Sequence, residues 1–190
     1  MLYSKKYNLL SLFLILLSEV VCFWITRIFL TSYDNQNIYN SSMNIVQGLY
    51  FLPILLISIY FFFSNKSEKT ILIHSIISLI IYSAILHFFI KQISSLFTNI
   101  SGIINFVEYA FKIYFICLPL LSFQILAFLK LTIKKLYFSL FIRIILLTLI
   151  TFLFTHWFGL KGILYTWSLN ELILFFLAII YLRKKHLTSN

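Results

Sequence analysis

Six long apolar runs dominate this chain: Leu9–Leu30, Asn44–Phe63, Ile71–Ile90, Phe106–Leu129, Leu136–Phe154 and Gly162–Leu182. A helix needs about 20 apolar residues to cross a hydrocarbon layer roughly 30 Å thick. The runs are continuous and do not alternate, which predicts membrane-spanning helices and not barrel strands. The expected fold is therefore all-α: a polytopic transmembrane bundle of about six helices, forming a single transmembrane domain over residues 1–190. Most connections are short, so neighbouring helices should pack antiparallel. Composition agrees, because 62% of residues are hydrophobic and only 11% are charged, with a mean hydropathy of +1.00. A soluble domain is about half apolar and about a quarter charged. The first run is too long for a signal-peptide core and no small-residue cleavage site follows it, so it reads as a retained span.

The net charge of +10 does not point to nucleic acid, because the basic residues lie between apolar runs and form no continuous patch. Their placement reads instead as topology. Lys5, Lys6, Lys66, Lys69, Lys130, Lys134, Lys135, Arg183, Lys184 and Lys185 fall at the two ends and in alternate connections. The remaining connections hold only Lys91 and Lys161, and the Tyr33–Ser42 connection holds no basic residue. Positive charge marks the cytoplasmic side, so both termini are expected in the cytoplasm. An excess of lysine over arginine, with abundant Ile, Asn, Phe and Tyr, hints at an AT-rich bacterial source.

Charges inside the spans are candidate functional groups, since each costs several kcal/mol at mid-bilayer unless it faces protein or water. Glu19 lies near the middle of the first span beside a stripe of Ser11, Ser18, Cys22 and Thr26 on one helical face. Glu171 lies near the middle of the sixth span beside Gly162, Thr166 and Asn170. Both are candidates for proton or cation coupling; the alternative is a structural ion pair or a protonated, hydrogen-bonded carboxyl. Arg27 and Arg143 are candidates for binding phosphate or pyrophosphate, which guanidinium groups hold in bidentate fashion; either could instead pair with a glutamate or reach headgroups. Glu108 and Lys112 have the spacing of a local helix pair. Pro53 and Pro119 fall mid-span and are expected to bend their helices.

Cys22 and Cys117 lie in apolar runs and read as small buried hydrophobes. No metal-ligand spacing joins them to His74, His87, His156 or His186, so no metal or other cofactor is expected. Trp157, Trp167 and the many tyrosines fit interfacial belts or sugar-stacking surfaces. There is no GxSxG, no P-loop and no paired-aspartate signature, and the loops have no room for one, so the chain is not expected to be an enzyme.

The stretch from Tyr109 to Lys185 has a distinctive order: a helix with a mid-span proline, a basic connection, a helix, the short turn FGLKG, then a closing helix and a basic end. It resembles the C-terminal part of polysaccharide flippases in the multidrug/oligosaccharidyl-lipid/polysaccharide exporter superfamily. Phe158, Gly159, Lys161, Gly162 and Thr166 fit the family's pattern before its closing helix, whereas Ile163 and Leu164 replace small residues. WITRIFL followed by NQNIYNSSMNIVQGLYFLPILL is similar to the start of the family's second half, with Thr26 where an Asp is common, Ile38 for a Gly and Ser42 for an Ala. The resemblance implies one lobe of a two-lobe flippase. Such flippases move an undecaprenyl-pyrophosphate-linked oligosaccharide across the bacterial inner membrane for O-antigen-type surface polysaccharide. It also implies a central headgroup cavity, a lipid-tail groove, and a partner: a second lobe or a second copy of this chain. A truncated gene, a split transporter and a half-size dimer all stay open. The competing readings are an organic-cation exporter lobe of the same superfamily and a non-transporting membrane subunit.

Overall fold

A computed structural model of the chain describes residues 9–31, 36–114 and 117–187; Lys5 and Lys6, and the side chains of Arg183, Lys184 and Lys185, lie outside what it describes. Every regular element among the described residues is helical. The helices are α1 (Leu9–Leu30), α2 (Gln36–Phe63), α3 (Glu68–Ser95), α4 (Ser101–Tyr114), α5 (Leu121–Leu129), α6 (Ile133–Phe158) and α7 (Leu160–Leu187), with a 3-10 turn at Leu118–Leu120. Five of them, α1, α2, α3, α6 and α7, are long and apolar enough to cross a membrane. The pair formed by α4 and the segment Leu118–Leu129, inclined by 51° to each other, has the length and apolarity of either a broken sixth span or a re-entrant loop.

The apolar runs locate the helices, and polar residues lengthen them. α1 has the bounds of its run, but α2 begins at Gln36, so most of the expected Tyr33–Ser42 connection is helical. A helix satisfies its own backbone groups, so it continues through polar residues such as Asn37 and Asn40 once it leaves hydrocarbon. α3 begins with a proper cap: the Ser67 Oγ accepts from the Thr70 backbone N–H at 3.2 Å. Pro53 lies within α2, which runs on through it. Pro119 lies in the 3-10 turn that separates α4 from α5, where its missing N–H is tolerated at the start of a helical segment.

Consecutive long helices run antiparallel. Near the α2–α3 connection the Tyr60 hydroxyl meets His74 Nδ1 at 2.9 Å, and farther along the same pair Tyr82 donates to the Leu49 carbonyl at 2.6 Å. The tightest turn joins α6 to α7 through Gly159 alone. Gly159 has φ 58°, a left-handed value that favours glycine. Its carbonyl accepts from the Gly162 N–H at 2.9 Å. A Cβ on Gly162 would overlap the Phe154 carbonyl, so the first turn of α7 can lie this close to α6 only with glycine there.

Large apolar side chains cover the outside of the bundle, among them Phe13, Trp24, Phe88, Phe138, Phe152 and Ile180. Inside, Phe23, Tyr50, Leu79, Val107, Leu147 and Trp167 belong to one continuous buried cluster. This inside-out apolar surface and the span lengths are those of a multi-pass membrane protein.

Candidate functional site: a buried carboxylate–guanidinium cluster

Three helices bring their charged residues to one point. Arg143 on α6 has a side chain that is 0% exposed, and Glu19 on α1 and Glu171 on α7 are buried beside it. Arg143 Nη1 donates to Glu19 Oε1 at 2.5 Å, and Nη2 donates to Glu19 Oε2 at 3.0 Å. This is the two-pronged geometry that a planar guanidinium offers a carboxylate. Nη2 also donates to Glu171 Oε1 at 2.8 Å, and Nη1 reaches Ser18 Oγ at 3.3 Å.

Helix register explains why they meet. Arg143 stands 16 residues before Gly159 and Glu171 stands 12 after it, about 24 Å and about 18 Å along helices that rise about 1.5 Å per residue. The long arginine side chain spans the difference. α1 and α7 are antiparallel: Trp167, one turn before Glu171, donates its Nε1–H at 2.7 Å to Thr26, which lies two turns after Glu19. Thr26, Cys22 and Ser18 all face inward with Glu19, so the polar stripe of α1 is its bundle face.

Aromatic rings wall one side of the cluster. Trp167 packs on Phe23 with ring centroids 4.4 Å apart, on Tyr50 at 5.4 Å and on Tyr114 at 6.2 Å. From α5, Gln124 Nε2 donates to the Glu171 backbone carbonyl at 2.8 Å. Several buried polar atoms of the cluster have no protein partner: Glu171 Oε2, Arg143 Nε, both polar atoms of the Asn170 side chain, and the Tyr50 and Tyr114 hydroxyls. Such groups are rare in folded proteins, and several gathered around one set of charges set this region apart.

The two candidates for phosphate thus have different surroundings. Both terminal nitrogens of Arg143 are engaged by Glu19 and Glu171, so a two-pronged grip on an anion there would require displacing one of them. Arg27, half-buried toward the far end of α1, donates to the amide oxygens of Asn44 and Gln47 on α2, the latter at 3.0 Å. Glu108 bridges Lys112 at 2.8 Å and Lys91 at 3.1 Å, tying α4 to α3. Lys130 pairs with Glu68 near the opposite ends of α5 and α3. Among the described residues, no group of three or more His, Cys, Asp or Glu side chains is placed to hold a metal ion.

Two of the concavities on the bundle lie beside α7. One, of about 160 Å³, is an apolar groove between α5, α6 and α7 lined by Phe128, Leu131, Leu146, Leu174, Leu177 and Ala178, with Ser139 and Tyr181 as polar members. The other, of about 450 Å³, opens near the α6–α7 turn and is lined by Tyr39, Asn105, Tyr109 and Lys161 among others.

Sequence reasoning singled out Glu19, Arg143 and Glu171 separately; only the fold shows them as one cluster. It passed over Gln124, Tyr50 and Tyr114. A glutamine in the middle of an apolar run was a usable signal, because an amide in hydrocarbon needs a partner. No protein-family model, curated protein or solved structure matches this chain.

Proposed function

We propose that this chain is one lobe of a transporter that flips a lipid-linked oligosaccharide, carried on undecaprenyl pyrophosphate, across a bacterial inner membrane. The observation that supports it most is the Glu19–Arg143–Glu171 cluster. Charge buried this deeply is costly in a membrane helix bundle, and replacing it by apolar side chains would often be neutral or stabilising. Its presence across three helices fits a protein that moves charged material or is driven by an ion. The apolar groove along α5, α6 and α7 suits a polyprenyl tail running beside the protein. Tyr39, Tyr109, Asn105 and Lys161 suit a sugar headgroup, with rings to stack on and polar groups to hydrogen-bond. In this reading Arg27 attracts the pyrophosphate and Glu19 or Glu171 couples translocation to an ion. The lysine-rich α2–α3 connection and both termini face the cytoplasm.

One lobe cannot enclose a cavity alone, so transport requires a second lobe or a second copy of this chain, rocking against it. Expressing the chain, alone and with a candidate partner lobe, in a strain that lacks its flippase tests the reading. Restored surface glycan is the expected result. Glu19→Gln and Glu171→Gln should abolish restoration by tenfold or more while the protein stays in the membrane. Unchanged glycan with a confirmed, membrane-inserted chain and every partner tried would refute the proposal.

A second reading has one specific observation behind it. Two carboxylates against one guanidinium give the cluster an acidic balance, which suits an organic cation better than a pyrophosphate. Resistance to cationic drugs without any effect on glycan would favour it.

A further inference from the structure

The charges of the cluster do not cancel. Glu19 and Glu171 face a single guanidinium, and no other Lys, Arg or His among the described residues forms an ion pair with either. An uncompensated carboxylate in hydrocarbon carries a large desolvation cost, which a proton or a bound cation removes. The two glutamates are also held unequally. Glu19 uses both oxygens on Arg143, the arrangement that best stabilises an anion. Glu171 uses Oε1 only, and its buried Oε2 has no protein partner. Beside it in the chain, the Asn170 side chain is buried with neither its amide nor its carbonyl engaged.

We infer that Glu171 is a proton-carrying site whose proton resides on Oε2, and that Glu19 is the carboxylate that anchors Arg143. The ionisable groups facing Glu171 fit this division. Glu19 and Cys22 approach from α1, Tyr50 from α2, Cys117 from beside the 3-10 turn and Arg143 from α6. Only Arg143 is a cation, and Glu19 already takes two of its donor directions. A protonated Glu171 balances the cluster and still lets Oε1 accept from Nη2. When the proton leaves, two anions compete for one guanidinium, and the contacts joining α1, α6 and α7 must redistribute. The cluster would thereby turn proton loss into a change in how α7 sits against α1. This inference deepens the proposed coupling role of the same site and rests on it for its use, but not for its test.

The test reads the protonation state directly. The whole chain would be labelled with carbon-13 at the glutamate side-chain carboxyl and placed in sodium-free lipid nanodiscs at neutral pH. Asn170–Glu171 is the only Asn–Glu pair in the sequence, so pair-selective labelling assigns its resonance. The expected result is a protonated carboxyl shift for Glu171 and an ionised one for Glu19. In Glu19→Gln the Glu171 resonance should move to the ionised position, because Arg143 then faces one carboxylate. If that variant does not accumulate, titration of the wild type decides: raising the pH should move the Glu171 resonance to the ionised position. An ionised Glu171 at neutral pH, a protonated Glu19, or ionisation of Glu171 on adding sodium at fixed pH would each overturn the assignment. None of these readouts requires transport. A protonated Glu171 in a chain that moves nothing would sink only the transport proposal, and transport with Glu171 ionised throughout would sink only this one.

Discussion

The bundle face of α3 carries Ser75, Leu79, Ser83, Leu86 and Ile90, whereas the facing surfaces of α1, α6 and α7 carry Glu19, Arg143 and Glu171. Both regions bury polar atoms, but by different means. On α3 the polar atoms are single small hydroxyls. Lipid is as apolar as leucine, so helices in a membrane associate through close packing, and serine gives a small surface that permits it. The Ser75 and Ser83 hydroxyls have no protein partner, so size and not hydrogen bonding is what they contribute. The charged cluster brings no comparable packing advantage. It holds three helices through directional bonds to one shared cation, so removing Arg143 alone would leave two carboxylates with no partner charge. The serines are thus replaceable parts of a packing surface, while the cluster is a unit.

The largest effect should come from splitting that unit. Arg143→Met leaves two buried carboxylates with no cation, and breaking a buried ion pair this way costs about 3–5 kcal/mol. We expect little folded protein, read by monodispersity in detergent or by unfolding in mixed micelles. Combining Arg143→Met with Glu19→Gln and Glu171→Gln removes all the charge together and should recover most of that loss, without restoring glycan in the complementation assay. If Arg143→Met alone were as stable as wild type, the cluster would be hydrated and the contrast with α3 would vanish.

A smaller effect should follow from disturbing the hairpin that sets the cluster's register. Gly162→Ala places a methyl group on the Phe154 carbonyl, and only a shift of α7 against α6 can relieve the overlap. Overpacking of this kind costs about 1–3 kcal/mol. Because Arg143 and Glu171 are held in register by that turn, the variant should also lower transport more than its stability loss accounts for. A variant with normal stability and transport would show that the register is set elsewhere, for instance by the Trp167–Thr26 bond.

The sequence made some of this legible and hid the rest for physical reasons. Bilayer thickness and helix rise fix span length, so α1 could be read to its last residue. The start of α2 could not, because a hydropathy window registers only the part of a helix that lies in hydrocarbon. Pro119 warned of a distortion in the fourth span, but so did Pro53, and α2 continues through its proline while α4 and α5 are separate helices. Proline removes one donor; whether the helix then breaks depends on its neighbours. Glu19, Arg143 and Glu171 each stood out because charge in an apolar run is costly. That they meet depends on the antiparallel register of α1 and α7 and on the one-residue turn at Gly159, which single-chain periodicity does not encode.

The smallest predicted effect completes the comparison from the α3 side. In Ser75→Ala and Ser83→Ala the side chain keeps nearly its size and loses a hydroxyl that has no protein partner. Hydrogen bonds between membrane helices average only about 0.6 kcal/mol, and here none among protein groups is lost. Each variant should therefore stay within about 0.5 kcal/mol of wild type and restore glycan equally well in the same strain. Ser83→Leu should behave differently, because added bulk on the bundle face of α3 separates the helices instead of changing their polarity. Should the alanine variants lose transport while keeping stability, the hydroxyls would belong to a hydrated path, and the division between a packing face and a functional cluster would have to be redrawn to include α3.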